Sequence, residues 1–330
     1  MELSRRDFIK NLLRLGSGVA VAGALGSLAA CAKESKPTLS PSPSPPGPAL
    51  TQQPTAVPAP LDKTYLAVAR GPSPELIVQA AIKALGGMER FVRKGNDVII
   101  KPNICVAYNT YEYAATTNPE VVAALVKLCL AAGARRVRVM DQPFGGTAQQ
   151  AYERSGIGKA VKEAGGEMEI MSGMKFREVD IPDGRDIKKW SVYADALDTD
   201  VLINVPIAKH HNLGRLTLGM KNLMGLIKDR GQFHFNLGQR VADLTSLLRP
   251  QLTVVDAVRI LTNHGPTGGD LADVKLMNTV IASHDIVAAD TYAATLFGLT
   301  ADDIPIIRAA APMGIGTTDL KSMKVEEINV

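Results

Sequence analysis

The chain has 330 residues, three cysteines and a formal charge of +4. Residues 1–30 hold four basic and two acidic side chains, so a chain that starts after them carries +2 and no polybasic stretch, which excludes nucleic acid as a partner. With no CxxC pair and no four-cysteine cluster, an iron–sulfur cluster held by cysteine alone is excluded too.

The first 31 residues carry three signals in order. Arg5-Arg6 within Ser4 to Lys10 resembles the twin-arginine export motif. Leu15 to Ala30 is apolar or small throughout, and as a helix it falls short of a bilayer core of about 30 Å, which fits a signal-peptide segment rather than a permanent span. Leu28-Ala29-Ala30-Cys31 resembles a lipobox, in which the cysteine is acylated and becomes the new N-terminus. Together they predict a protein that passes the twin-arginine translocase already folded. It would then stay on the extracytoplasmic face of a bacterial membrane, periplasmic or cell-surface, with Cys31 bound to lipid. Nine prolines between Pro37 and Pro60, among Ser, Thr, Ala and Gln, mark residues 32–62 as a solvated spacer.

Residues 63–330 are long enough for one large α/β domain or two sub-domains. Strands are expected at Tyr65–Ala69, Asp97–Lys101, Arg136–Met140, Glu167–Met171, Val201–Val205, Leu252–Val255 and Thr279–Ala282. Helices are expected over Pro74–Phe91, with Ser73 as N-cap, and over Asn118–Ala132, with Asn118 capping, Pro119 at the first position and Gly133 as the stop. Another should end at Gly165-Gly166, and a last one should run over Asp285–Phe297. Alternating strands and helices predict a mainly parallel sheet with helices on both faces. Residues 172–198, with Asp183-Gly184 as a turn, read as a small antiparallel excursion. Cys105 and Cys129 could pair outside the cytosol or stay as two buried, unpaired thiols; Cys129 lies on an expected helix and nothing in the sequence fixes their distance.

Polar residues collect where strands end. Lys101-Pro102-Asn103, Asp141-Gln142-Pro143, Pro206 through Lys209-His210-His211, and Asp256 each follow a strand. In open parallel sheets those ends share one rim, where ligands bind. Arg215 to Gly225 has a helix-like apolar pattern interrupted by Lys221-Asn222, and such a lysine reaches either water or an anion. His210, His211, His234 and His264 fall within 55 residues of chain, near expected loops, and could serve a metal or proton transfer. His264 opens a glycine-rich loop, with Gly265 and Gly268, that could bring backbone N–H groups to an anion. His284, before a helix, reads as structural.

The ordered series Ile99 to Asn103, Thr116 to Pro119, the strand ending at Asp141, Asn204 to Pro206, Lys209 to His211, Leu216 to Asn222 and Asp285 to Asp290 resembles the DUF362 family from about residue 65 to 325. Some members of that family carry an added ferredoxin-like module; this chain lacks its cysteines. Relatives read Lys-Thr-His where this chain has Lys209-His210-His211, which makes His211 the family-like histidine. The arrangement is also distantly similar to racemases of the nickel-pincer type.

Two readings follow. The first is an enzyme of redox or isomerase type that uses a metal ion or a phosphate-bearing cofactor. Lys101, Asp141, Lys209 and Asp256 would be its catalytic groups. Asn103, Lys221, Asn222, Gly265 and Gly268 would bind the cofactor, and His211, His234, His264 and His210 the metal. The second is a tethered solute-binding lipoprotein that captures a small anion without turnover. It requires two lobes and a hinge.

Overall fold

The computed structural model describes residues 65–330. The export segment, Cys31 and the spacer lie outside the described residues. The chain runs β1 (Leu66–Arg70), α1 (Pro74–Ala84), β2 (Asp97–Pro102), α2 (Pro119–Ala131), β3 (Arg136–Val139), α3 (Ala148–Arg154), α4 (Ile157–Glu163) and β4 (Glu167–Met168). An antiparallel pair, β5 (Phe176–Asp180) and β6 (Lys189–Tyr193), comes next, followed by α5 (Ala194–Asp198). Then come β7 (Val201–Val205), β8 (Ile207–His211), β9 (Arg215–Thr217), α6 (Gly219–Asn222), α7 (Arg230–Phe233) and α8 (Leu237–Leu248). The remainder is β10 (Leu252–Leu261), β11 (Val274–Ser283), α9 (Ile286–Thr295), α10 (Pro305–Ala310) and β12 (Val325–Asn329).

Among the described residues one ten-stranded sheet holds all strands but β5 and β6, in the order β12-β1-β11-β10-β7-β2-β3-β4, with β8 and β9 branching from β10. The pairings from β10 through β7, β2 and β3 to β4 are all parallel. Alternate residues of each strand serve opposite faces. Val98 and Ile100 pack with α1, α2 and α4, whereas Ile99 and Leu202 pack with α8, α9 and α10. Helices therefore cover both faces, which is why central strands carry consecutive apolar residues, as in Val98–Ile100 and Val201–Ile203.

The helix caps follow the sequence. Ser73 Oγ accepts the Leu76 N–H, Asn118 Oδ1 accepts the Glu120 N–H, and Gly133 closes α2 at φ +92°. The excursion at 172–198 is the β5–β6 ribbon, with the turn closed from Gly184 N to Ile181 O. Cys105 and Cys129 are buried and unpaired.

Several elements differ from expectation. The helix over Pro74–Phe91 stops at Ala84, because Gly86 and Gly87 sit at φ +100° and +89°, and resumes as a 3-10 turn, Met88–Arg90. The strand at Glu167–Met171 keeps two residues. The strands begun at Leu252 and Thr279 are each ten residues long and antiparallel, because their connection carries no crossover helix. Asp256 is therefore mid-strand rather than at a strand end. His210 and His211 are not in a loop: Pro206 breaks the chain after β7 and it resumes as β8, paired to β10 and β9. The helix-like run from Arg215 is a strand, a single helical turn and a 3-10 turn, Leu223–Leu226.

Candidate functional site

The carboxyl ends of β2, β3 and β8 open into a cavity of about 410 Å³ lined by Lys101, Asn103, Cys105, Asp141, Lys209, His211, Lys221, Asn222, Arg230 and His234, among others. Three of the four polar sets expected at the rim meet there. The fourth, Asp256, does not.

The floor is a closed polar network. Lys101 Nζ has three acceptors, Asp141 Oδ1 at 2.7 Å, Pro102 O at 2.8 Å and Asn222 Oδ1 at 3.0 Å, one for each proton of an ammonium. Burial pushes Lys101 below the ordinary lysine range and Asp141 opposes that shift. The other Asp141 oxygen accepts the Ile104 N–H at 2.6 Å. Asn222 also accepts from Asn103 Nδ2 and donates to Asn204 Oδ1, both at 2.9 Å. Lys101, Asn103, Asp141 and Asn222 thus spend their bonds on one another and shape the pocket. Gly225 lies against this floor so closely that a Cβ would collide with Asp141 Oδ1 and Lys101 Nζ.

The residues of the family-like series outside the pocket brace it. Thr117 Oγ1 accepts the Asn103 N–H at 2.8 Å and donates to Val205 O. Asp290 accepts the Gly219 and Met220 N–H groups at 2.6 and 2.9 Å, fixing the turn that carries Lys221 and Asn222. Burial pushes Asp290 up to about 7. Asp285 caps α9 through the Val287 and Ala288 N–H groups.

The wall that faces a ligand is cationic. Lys209 donates to Ala115 O at 2.6 Å and Asn103 Oδ1 at 3.0 Å, and also meets the Cys105 thiol. Among the described residues Lys221 has no oxygen partner; Met224 Sδ lies 3.8 Å from its Nζ. Burial, then Lys209 and Arg230, bring Lys221 down to about 7. Arg230 spends two N–H groups on Gln142 O and Pro143 O and has no carboxylate partner among the described residues. Asp141 is the one carboxylate among the lining residues, and Lys101 neutralises it. The sequence does not single out Arg230, because a lone arginine opening a four-residue helical turn has no pattern that sets it apart.

His211 Nδ1 accepts the Leu213 and Gly214 N–H groups at 3.1 and 3.3 Å, so the neutral ring carries its proton on Nε2. Burial, with Lys221 and Lys209 nearby, brings His211 down to about 3. Its ring is 6.5 Å from that of His234, at an interplanar angle of 20°.

The other predicted residues lie elsewhere. Asp256 is buried and accepts the Asn118 and Val258 N–H groups at 2.7 and 2.9 Å, which makes it a brace for α2; burial pushes it up to about 6. His264 is exposed and pairs with Asp273 at 2.6 Å. His210 Nδ1 accepts the Gly265 N–H, so that glycine N–H is turned to a histidine rather than to a ligand. Gly268 packs on Leu261 at φ +61°, and only Pro266 of this loop lines the pocket. The four histidines are thus split two and two. Among the described residues no three His, Cys, Asp or Glu groups are placed to hold a metal ion. The His211 tautomer also turns an N–H, not a lone pair, away from the backbone. The donor set therefore does not fit a metal, whereas Lys209, Lys221 and Arg230 do fit a phosphate or carboxylate.

A family model described as "Domain of unknown function (DUF362)" matches residues 98–295. The thylakoid-associated protein sll1697 of Synechocystis sp. is 27% identical over 256 residues, covering 73% of this chain and 75% of that protein. The lactate racemase apoprotein of Thermoanaerobacterium thermosaccharolyticum superposes with a TM-score of 0.46 and 12% identity, over 70% of this chain and 56% of its own.

Proposed function

The chain belongs to the DUF362 family, and from that premise we propose that it is an enzyme of redox or isomerase type, binding an organic anion or a phosphate-bearing cofactor in the cationic pocket, with Lys221 as its acid–base group. The observation that carries this reading is the position of Lys221. It is held among Lys209 and Arg230, with no carboxylate partner among the described residues, and comes down to about 7. A general acid–base group works best when its pKa is near the working pH. An anion on Lys221 and Arg230 would supply the missing counter-charge. His211 Nε2–H is a neutral donor suited to hold an oxygen atom of the ligand, and Lys221 can take or return a proton beside it. A bound cofactor would supply electron-withdrawing chemistry, with Lys209, Lys221 and Arg230 as the groups to hold its phosphate.

Calorimetric titration with inorganic phosphate and with acetate tests the anion site. Lys221→Met and Arg230→Met should each weaken binding about tenfold or more; unchanged affinity in both would remove the site. The solute-binding alternative needs two lobes about a hinge, whereas the sheet from β12 to β4 is continuous.

Export and tethering remain part of the reading. Arg5-Arg6 and Leu28 to Cys31 support a protein carried out folded and held by acylated Cys31. Radiolabelled palmitate should enter the wild-type chain and not Cys31→Ser. Equal labelling of the two would contradict the anchor.

A further inference from the structure

Two large apolar side chains stand exposed in the lining of this pocket. Phe144 and Leu213 are 58% and 62% exposed. They come from two separate segments: the stretch after β3 and the β8–β9 turn. A single exposed apolar side chain needs no explanation. Two in the lining of one cavity give it an apolar rim of the kind found at ligand-binding grooves. Deeper in, the pocket holds Met224, which is buried, beside the cations Lys209, Lys221 and Arg230.

We propose that the ligand is an anionic amphiphile, with a carboxylate or phosphate head against Lys221 and Arg230 and an unbranched aliphatic chain leaving across Phe144 and Leu213. The inference rests on the anion-pocket reading and adds the substrate class. An inorganic anion would have no use for the apolar rim. A neutral lipid would leave the interior cations without a counter-charge. An aliphatic chain satisfies the rim, because each methylene it covers leaves water.

The test is calorimetric titration of the folded chain with acetate, butanoate, octanoate and decanoate, and with the matching alkyl phosphates. Affinity should rise about two- to fourfold per methylene, so that octanoate binds well over ten times more tightly than butanoate. The double variant Phe144→Ser/Leu213→Ser should keep butanoate binding and lose the chain-length gain. Both side chains are more than half exposed, so the variant keeps its core. Leu276→Ser, an equally exposed apolar residue on β11 that does not line the pocket, should behave as wild type. Octanoate binding no tighter than butanoate, or a chain-length gain that survives in the double variant, overturns the proposal and leaves the anion site standing. If neither the carboxylates nor the phosphates bind, the anion-pocket reading falls with it.

Discussion

Lys101 Nζ lies 2.7 Å from Asp141 Oδ1, with both side chains buried, and Gly225 leaves no room for a Cβ beside them. A buried pair that loses one member leaves an uncompensated charge, at a cost of about 3–5 kcal/mol. Lys101→Met should therefore destabilise the chain by that order, and Gly225→Ala by about 1–3 kcal/mol through overpacking. The double variant Lys101→Met/Asp141→Leu should recover much of the loss. Urea denaturation measures all three, and a wild-type midpoint for Lys101→Met would show that the pair does not hold the floor.

His211 comes down to about 3, from an ordinary histidine value of 6.5. Between those values the folded chain holds fewer protons than the unfolded chain, so the His211 contribution is present above about 6.5 and is lost as pH falls toward 3. His211→Gln removes this titration. The variant should gain stability relative to wild type on going from pH 7.5 to pH 4.5. Parallel denaturation curves for the two proteins at both pH values would count against a buried neutral ring.

Asp290 acts on Lys221 at a distance, through the Gly219 and Met220 N–H groups. In Asp290→Asn one of those N–H groups would face an amide nitrogen, a loss of about 1–3 kcal/mol. Asp290 is raised from 3.8 to about 7. The folded chain therefore holds the extra proton between those values, and the stability this gives is lost as pH rises through about 7. The variant should lack that portion of the decline. It should also bind phosphate more weakly, because the turn carrying Lys221 loses a tether. A variant with wild-type affinity and pH dependence would make Asp290 a packing residue only.

Much of the fold was legible because its signals are local. Ser73 and Asn118 cap their helices with their own oxygens, and continuous apolar runs such as Val201–Ile203 mark strands buried on both faces. The antiparallel β10–β11 ribbon was not, because its pairing depends on a connection whose conformation no local pattern sets. In the site, Lys101, Asn103, Asp141 and Lys209 come together at strand ends, and Lys221 and Asn222, expected on a separate helix-like run, join them. What the sequence could not separate was their roles. Lys101 and Lys221 are both lysines near amides, yet among the described residues one is saturated with oxygen acceptors and the other has only the Met224 thioether. Asp256 looked like a site residue because it follows the expected strand Leu252–Val255, and His264 because it belongs to a group of four histidines and opens a glycine-rich loop. Their bonds go to the N-terminus of α2 and to Asp273 instead.

The role proposed for Lys221 is that of a lysine among cations that titrates near neutrality and receives an anion. An NMR titration of the Lys221 side chain, assigned by comparison with Lys221→Met and run with and without inorganic phosphate, decides it. The expected midpoint is about 7 in the free protein, moved upward when phosphate binds, because the anion stabilises the ammonium. A midpoint near the ordinary lysine value, unmoved by phosphate, would remove that role.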